Sequence, residues 1–492
     1  MNPEIKMKEK VGWVETNLAT VSNKITDGSH NPPPKAEYGE PMLSAQNIFD
    51  DHILFEGYRL IKNEDFEKEY KRANVEPRDV LLTIVGTIGR SIVVPDKIRR
   101  FTLQRSVALI KPNGIESRYL SFYLRSPTSQ LYFENNSKGT AQKGIYLNSL
   151  GKLPVLLAPL PEQRAIVSRI EQLFSDLDNG IANLRLAQEQ LKVYRQAVLK
   201  KAFEGELTRK WRDQQTDLPN ARDLLEQIRK EREEAAKVSA KKVKPVKPLT
   251  EDEIAELPSL PEGWGWVKIG DLSDVVRGGS PRPAGDPKYY GGEIPFLKVA
   301  DLTRNDDVYL KDHEYTIKEA GLRKTRLVEG NNLLLSNSGA TLGVPKICTF
   351  KTTFNDGIAA FLDLAQESML YHYYFWLSKT NKLRAINQGA AQPNLNTDII
   401  SNYPFPLCSI PEQHAIVEEI ETRLSVCDKM AQDIDEALEK AEALRQSILK
   451  KAFEGKLLSE RELAEVRRAQ DWEPADVLLE RIRMHRAGNG KK

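Results

Sequence analysis

Residues 160–207 read LPEQRAIVSRIEQLFSDLDNGIANLRLAQEQLKVYRQAVLKKAFEGEL, and residues 410–457 read IPEQHAIVEEIETRLSVCDKMAQDIDEALEKAEALRQSILKKAFEGKL. The two align without a gap, with nearly half of the positions identical, so this chain of 492 residues is one unit written twice. The echo continues on both sides. Gly139-Thr140-Ala141-Gln142 matches Gly389-Ala390-Ala391-Gln392, and Gly12-Trp13-Val14 matches Gly265-Trp266-Val267. Downstream, ARDLLEQIRKER from Ala221 matches ADVLLERIRMHR from Ala475. Each half is therefore a globular region, a long helix and a short charged helix.

In the first long segment Ile166, Ile170, Leu173, Leu177, Gly180, Leu184, Ala187, Leu191, Tyr194 and Val198 recur in steps of four and three, with Gly180 a poor core residue. The same frame in the second gives Ile416, Ile420, Arg423, Cys427, Met430, Ile434, Ala437, Ala441, Leu444 and Ile448, with Arg423 a poor core residue. A period near 3.5 held that long predicts a helical seam of the coiled-coil kind. Pro161 and Pro411 fall in the first turn, where proline is tolerated, and Glu162 and Glu412 suit the positive end of the helix dipole. Some 40 residues would span roughly 60 Å at 1.5 Å per residue, the length of a spacer.

The globular regions read as mixed α and β. Short apolar strands are expected near residues 80–85, 106–110 and 333–335, between turn clusters of Gly, Pro and Asn. SRYLSFYLRSPTSQLYF and SMLYHYYFWLSKTNKLRAI read as helices with their aromatic residues packed inside. Residues 231–258, charged and punctuated by proline, read as an exposed linker. The resulting division is a globular region at 1–158, a long helix at 159–212, a short helix and linker at 213–260, a second globular region at 261–408, a second long helix at 409–462, and a short helix and tail at 463–492.

Composition excludes several classes. A net charge of +2 gives no global basic field, so any nucleic-acid surface must be local. The three cysteines, Cys348, Cys408 and Cys427, form no CxxC pair, which suits a reducing cytoplasm. The six histidines lack metal-site spacing, and no apolar run is long enough to span a membrane. There is no GxxxxGK[ST] phosphate loop. Asn31-Pro32-Pro33-Pro34 lacks the aromatic residue of a methyltransferase [DN]PP[YF] motif and reads as a rigid turn.

Several segments together carry a resemblance. GTAQKGIYLNSLGKLPVLLAPLPEQRAIVSRIE, its copy QGAAQPNLNTDIISNYPFPLCSIPEQHAIVEEIE, VVRGGSPRPAGDPKYYGGEIPFLKVADL, KITDGSHNPPP and LLLSNSGATLG resemble specificity subunits of type I restriction–modification enzymes, in order and over the whole chain. The resemblance implies an α+β fold with two target recognition domains, separated by two long antiparallel helices in a pseudo-two-fold repeat. Each domain would read one half of an asymmetric, split site in double-stranded DNA. Two adenine methyltransferase subunits would dock on the helices, and up to two translocase–endonuclease subunits would join them. S-adenosylmethionine, ATP and Mg would belong to those partners, with no cofactor and no catalytic residue on this chain. A methyltransferase with degenerate motifs and a coiled-coil scaffold without DNA specificity are the alternatives.

Donors in glycine-flanked loops are the candidate DNA contacts, because Arg can bond guanine, Asn or Gln adenine, and Lys the phosphates. In the first domain these are Asp27, Gly28, Ser29, His30, Gln46, Arg99, Arg100, Gln104, Arg105, Lys138, Thr140, Gln142 and Lys143. In the second they are Arg277, Arg282, Tyr289, Tyr290, Lys298, Arg304, Asn337, Gln388, Gln392 and Asn394. Lys200, Lys201, Arg209, Lys210 and Arg212 form a basic cluster near a helix end, read as an exposed face or a phosphate or partner contact.

Overall fold

The computed structural model describes residues 11–139, 142–239, 245–339, 341–386 and 395–489. Each duplicated segment forms one uninterrupted helix, Leu160–Phe203 and Ile410–Phe453. Gln163 and Gln413 anchor the first turns: their amides donate to the carbonyls of Ala158 and Cys408 at 2.7 and 2.9 Å. The far ends stop in the shared AFEG sequence. Gly205 and Gly455 have φ of +73° and +67°, the left-handed conformation that ends a helix and that glycine adopts without strain.

The chain forms two compact units, one of residues up to Arg185 together with those from Asp435 onward, the other Leu186–Ile434. The division cuts through both long helices, because each helix starts in one core and ends in the other. In the first unit Ile166, Ile170 and Phe174 share a core with Ile448, Leu449 and Phe453. In the second, Val198, Leu199 and Phe203 share one with Ile416, Val417 and Ile420. Asp178 pairs with Arg445, and Arg195 with Asp428 at 2.6 Å, so partner numbers fall as residue numbers rise and the helices pack antiparallel.

The helix contact is less regular than a heptad seam. Ile166, Ile170, Leu191, Ile416, Ile420, Ile434 and Ile448 are buried, and Leu173, Leu177 and Leu184 are half-buried. Met430 and Leu444 are corrections: 48% and 49% exposed, they lie outside the seam. The reason is that the helix ends bury a second face against the globular regions, through Phe174, Leu199, Phe203, Leu449 and Phe453.

The two globular regions share a strand order that their sequences hide. In the first, the four-stranded sheet runs Ser22–Asp27, Val107–Pro112, Val80–Thr83, Ser91–Val93, beside a three-stranded sheet Arg59–Ile61, Glu40–Leu43, Thr102–Leu103. In the second, Asp274–Arg277, Ile358–Leu362, Asn332–Ser336 and Pro345–Cys348 repeat the first order and add Tyr309–Leu310 at the edge. Tyr315–Ile317, Tyr290–Leu297 and Thr352–Phe354 repeat the second order and add Arg326–Val328. The expected strands near 80, 106 and 333 are central in these sheets. SRYLSFYLRSPTSQLYF divides into Ser117–Leu124 and Pro127–Asn136, capped by Ser126, whereas Met369–Ile386 is one helix.

A two-stranded ribbon at each globular region shifts the sequence match by two residues, from Val267 to Gly265 as the counterpart of Val14. Val14 pairs with Leu157 in one ribbon, and Gly265 with Leu407 in the other. The counterpart of Trp13 is therefore Trp264, not Trp266; the sequence GWGWV offers two tryptophans, and only pairing and hydrogen bonding choose between them.

The charged stretch after Ala221 also differs from expectation. Helix Ala221–Ser239 runs into the segment read as linker. Leu224, Leu225 and Ile228 pack against the second core. Arg229 bonds Asp271 at 2.7 Å, and Arg232 bonds Asp274 at 2.6 Å and the Gly270 and Asp271 carbonyls at 2.8 Å. Those arginines tie a helix to a domain, Arg232 through a largely buried side chain and Arg229 through an exposed one. In the first unit, helix Ala475–Asn489 takes the matching place, with Leu478, Leu479 and Ile482 in the core.

Candidate nucleic-acid interface

In each domain the strand that opens the repeated sheet order, Ser22–Asp27 in the first and Asp274–Arg277 in the second, leaves its sheet at a glycine and crosses the neighbouring sheet at backbone contact. A Cβ on Gly28 would stand 2.0 Å from the Leu103 carbonyl oxygen; one on Gly278 would meet the Phe354 and Asn355 carbonyls at 2.3 Å. The next residues bond across, Ser29 N–H to the Leu103 carbonyl at 2.8 Å and Gly279 N–H to that of Phe354 at 3.0 Å. Gly28 is thus required by close approach, and Ser29 is buried, its hydroxyl donating to Glu69 at 2.9 Å. Both are corrections to their reading as surface contacts.

Beyond that crossing the first domain opens into a cleft of about 560 Å³. It brings together Asp27, His30, Arg105, Lys138 and Gln142, which sequence reasoning singled out, and Arg72, which it missed. The Asp27 side chain is 10% exposed and accepts from His30 at 2.6 Å and Arg72 at 3.1 Å. Arg105, Lys138 and Gln142 are exposed. Isolated β-bridges join Lys138 to Gly144 and Gly144 to Val85, fixing the rim to the central sheet.

The other candidates of this domain stand apart from the cleft lining. Gln46 is exposed in the turn Ala45–Asn47, and Gln104 is half-buried at a bridge to Ser29. Arg99 lies 3.4 Å from Glu40. Arg100 pairs with Glu67 at 3.1 Å, with its guanidinium over the Tyr70 ring at 4.4 Å. Lys143 lines a neighbouring hollow with Gly86 and Gln130. Thr140 lies outside the described residues.

The second domain has a cleft of about 430 Å³ at the equivalent crossing, holding Arg282, Tyr290 and Lys298. Arg282 is exposed. Tyr290 donates its hydroxyl to the Pro281 carbonyl at 2.8 Å, and burial raises its pKa. Lys298 sits 3.2 Å above the centre of the Tyr315 ring. The Ser280 hydroxyl donates to Asp356 at 2.6 Å and, with the nearby Arg277 and Arg282, holds that carboxyl below its ordinary range. Arg277 is exposed and donates to the Asp356 carbonyl at 2.5 Å, and Tyr289 is half-buried beside Lys288.

Two candidates here are spent on structure. Arg304 is ringed by Asp301, Glu314 and Asp312 at 3.0, 3.3 and 3.5 Å, which cancels its charge. Asn337 is fully buried, and among the described residues its side-chain amide has no hydrogen-bond partner. It is a correction: it follows a central strand, and its backbone bonds Gly357 and Leu395. Gln388, Gln392 and Asn394 lie outside the described residues. The two clefts thus share a scaffold and differ in chemistry.

At the root of each long helix is a buried carboxylate. Glu162 accepts from Trp13 at 2.7 Å and from Trp472 and Arg467 at 3.2 Å. Glu412 accepts from Trp264 at 2.8 Å, from Thr208 at 2.9 Å, and from Arg212. Arg212 therefore leaves the basic cluster. Lys200 and Lys201 are exposed near Glu204 and Glu206, at 3.8 and 3.4 Å, and Arg209 and Lys210 are exposed. Among the described residues no helix is long and apolar enough to cross a membrane, and no His, Cys, Asp and Glu group could hold a metal ion.

Comparison with known proteins agrees with this duplicated plan. Residues 10–184 and 261–440 match the type I restriction modification DNA specificity domain. The chain is 34% identical over 229 residues to the EcoBI specificity subunit of Escherichia coli, across 45% of this chain and about half, 48%, of that protein. It is 24% identical to the Escherichia coli EcoDI specificity subunit, covering 80% of this chain and 82% of that one. It is 21% identical to the EcoKI specificity subunit of Escherichia coli strain K12, covering 98% and 97%. Among solved structures, a chain from work on assembly and conformational transition of the type I R-M system has a TM-score of 0.62 at 18% identity, over 91% of this chain and 99% of that one. The HsdS subunit from Thermoanaerobacter tengcongensis has a TM-score of 0.52 at 18% identity, over 91% and 98%. With the family match covering both globular regions and the start of both long helices, this chain belongs to the specificity subunits of type I restriction–modification systems.

Proposed function

We propose that each globular region reads one half of an asymmetric, bipartite site in double-stranded DNA, and that this chain thereby directs methylation and restriction carried out by other subunits. The observation that carries the reading is the pair of clefts: one strand order and one glycine crossing, lined by Asp27, His30, Arg72 and Arg105 in one domain and by Arg282, Tyr290 and Lys298 in the other. Equivalent scaffolds with different linings suit two different half-sites. Arg and Lys on the rims supply phosphate contacts, and side chains within the clefts supply base contacts.

The long helices fix the gap between half-sites and dock two adenine methyltransferase subunits, with up to two translocase–endonuclease subunits joining them. The antiparallel pairs Asp178–Arg445 and Arg195–Asp428 give the helix pair an internal two-fold pattern, which suits two copies of one partner. S-adenosylmethionine, ATP and Mg serve those partners, and the assembly works in the cytoplasm. The test is to map methylated adenines in cells carrying this chain and its methyltransferase, before and after exchanging residues 12–158 for another recognition domain. One half of the motif should change and the other stay. An unsplit motif, or one indifferent to the exchange, defeats the reading.

A further inference from the structure

We propose that Arg72, held by Asp27, reads a guanine in the half-site of the first recognition domain. The proposal rests on the cleft being a DNA surface and adds which base is read and by which pair. Arg72 ends helix Asn63–Arg72, and three ties fix that end against the strand Ser22–Asp27. Lys24 donates to the Arg72 carbonyl at 2.7 Å, Ser29 to Glu69 at 2.9 Å, and the Arg72 guanidinium to Asp27 at 3.1 Å. His30 occupies the other oxygen of the same carboxylate. The Arg72 side chain is 46% exposed, and the residue lines the cleft.

The chemistry separates base reading from phosphate binding. A phosphate contact draws on net charge, and Asp27 cancels that of Arg72. What remains is geometry: a planar fork of N–H donors, one of them tied to the carboxylate and the others available to a ligand. Guanine alone presents two acceptors side by side, N7 and O6, on its major-groove edge, and an arginine fork matches them. Arg105 and Lys138, in the same cleft and with no carboxylate contact among the described residues, are left for the phosphates. In the second domain the corresponding helix, Glu319–Leu322, is a single turn, and Arg304, held by Asp301, is ringed by two further carboxylates.

The test uses the chain assembled with its methyltransferase, by mapping methylated adenines in cells and measuring binding to duplexes that vary one base at a time. Arg72→Lys removes the fork and keeps a positive charge beside Asp27. Preference for guanine should fall roughly 5- to 150-fold at one position of one half-site, with the other positions kept. Asp27→Asn should relax the same position. Retained guanine preference in Arg72→Lys, an equal weakening on every duplex, or a half-site without guanine overturns the proposal. If Arg105→Ala and Lys138→Ala also leave affinity and motif untouched, the cleft is not a DNA surface, and the reading beneath falls with it.

Discussion

The indole nitrogen of Trp264 donates to Glu412 across 2.8 Å, in a site that Thr208 and Arg212 complete from the end of the other long helix. Glu412 is 2% exposed, so these donors stand in place of water around its carboxylate. Removing one partner of a buried pair leaves the other uncompensated, at about 3–5 kcal/mol. Glu412→Ala should lower the urea midpoint by a corresponding amount, followed by tryptophan fluorescence, and Glu162→Ala should act likewise in the first unit. A loss under about 1 kcal/mol would show that water replaces the carboxylate readily.

Phe203 lies 5.1 Å from Tyr371 and 5.4 Å from Phe375; Phe453 lies 5.2 Å from Tyr119 and 5.0 Å from Tyr123, centre to centre. These rings seat the end of each helix in a globular core. Phe203→Ala and Phe453→Ala should each cost about 3–5 kcal/mol. Limited proteolysis should then cut first near the affected helix end, and cleavage elsewhere would speak against this anchoring.

His372 is buried and stacked on Phe405 at 4.2 Å, and burial lowers its pKa to about 3 from the ordinary 6.5. Between these values the unfolded chain binds a proton that the folded one refuses. The associated stability is complete above about pH 6.5 and declines as pH falls toward 3, by about 1.4 kcal/mol per pH unit. Comparing urea midpoints at pH 7.5 and 5.0 tests this: His372→Leu should have the shallower dependence. Equal slopes would mean that His372 protonates within the fold.

Arg105 and Lys138 line the cleft of the first domain. If each neutralises one phosphate, Arg105→Ala or Lys138→Ala should reduce the slope of log affinity against log salt by about 0.9, equally for cognate and unrelated duplexes. An unchanged slope with altered base preference would place the residue on a base edge.

Deleting residues 180–186 and 430–436 removes seven residues from each long helix, close to two full turns, so the outward faces keep their direction. The helices shorten by about 10 Å, and the unread gap in the methylated motif should contract by about three base pairs at 3.4 Å each. A motif with its original gap would show that the helices do not set it.

The duplicated helices were legible because their burial repeats at helical spacing and their sequences stayed alike. The common strand order was not, because a sheet needs only apolar alternation and turns, which many sequences satisfy. Trp13 could be matched with Trp264 only through its hydrogen bond to Glu162 and the pairing of Val14 with Leu157. Arg72 escaped notice for a similar reason: it lies in an ordinary charged helix, 45 positions from the carboxylate that gives it a role. Asn337 misled in the opposite direction, since its glycine-rich surroundings suggest a loop while its side chain is fully buried.

The interleaved composition of the two units has a consequence for synthesis. The second unit is one unbroken stretch, Leu186–Ile434, whereas the first awaits Phe453, Trp472 and Ile482. Domains commonly fold as they leave the ribosome. Here the reader translated first is finished last: until residues 435–489 emerge, the first domain exposes the apolar surface that its late helices will cover.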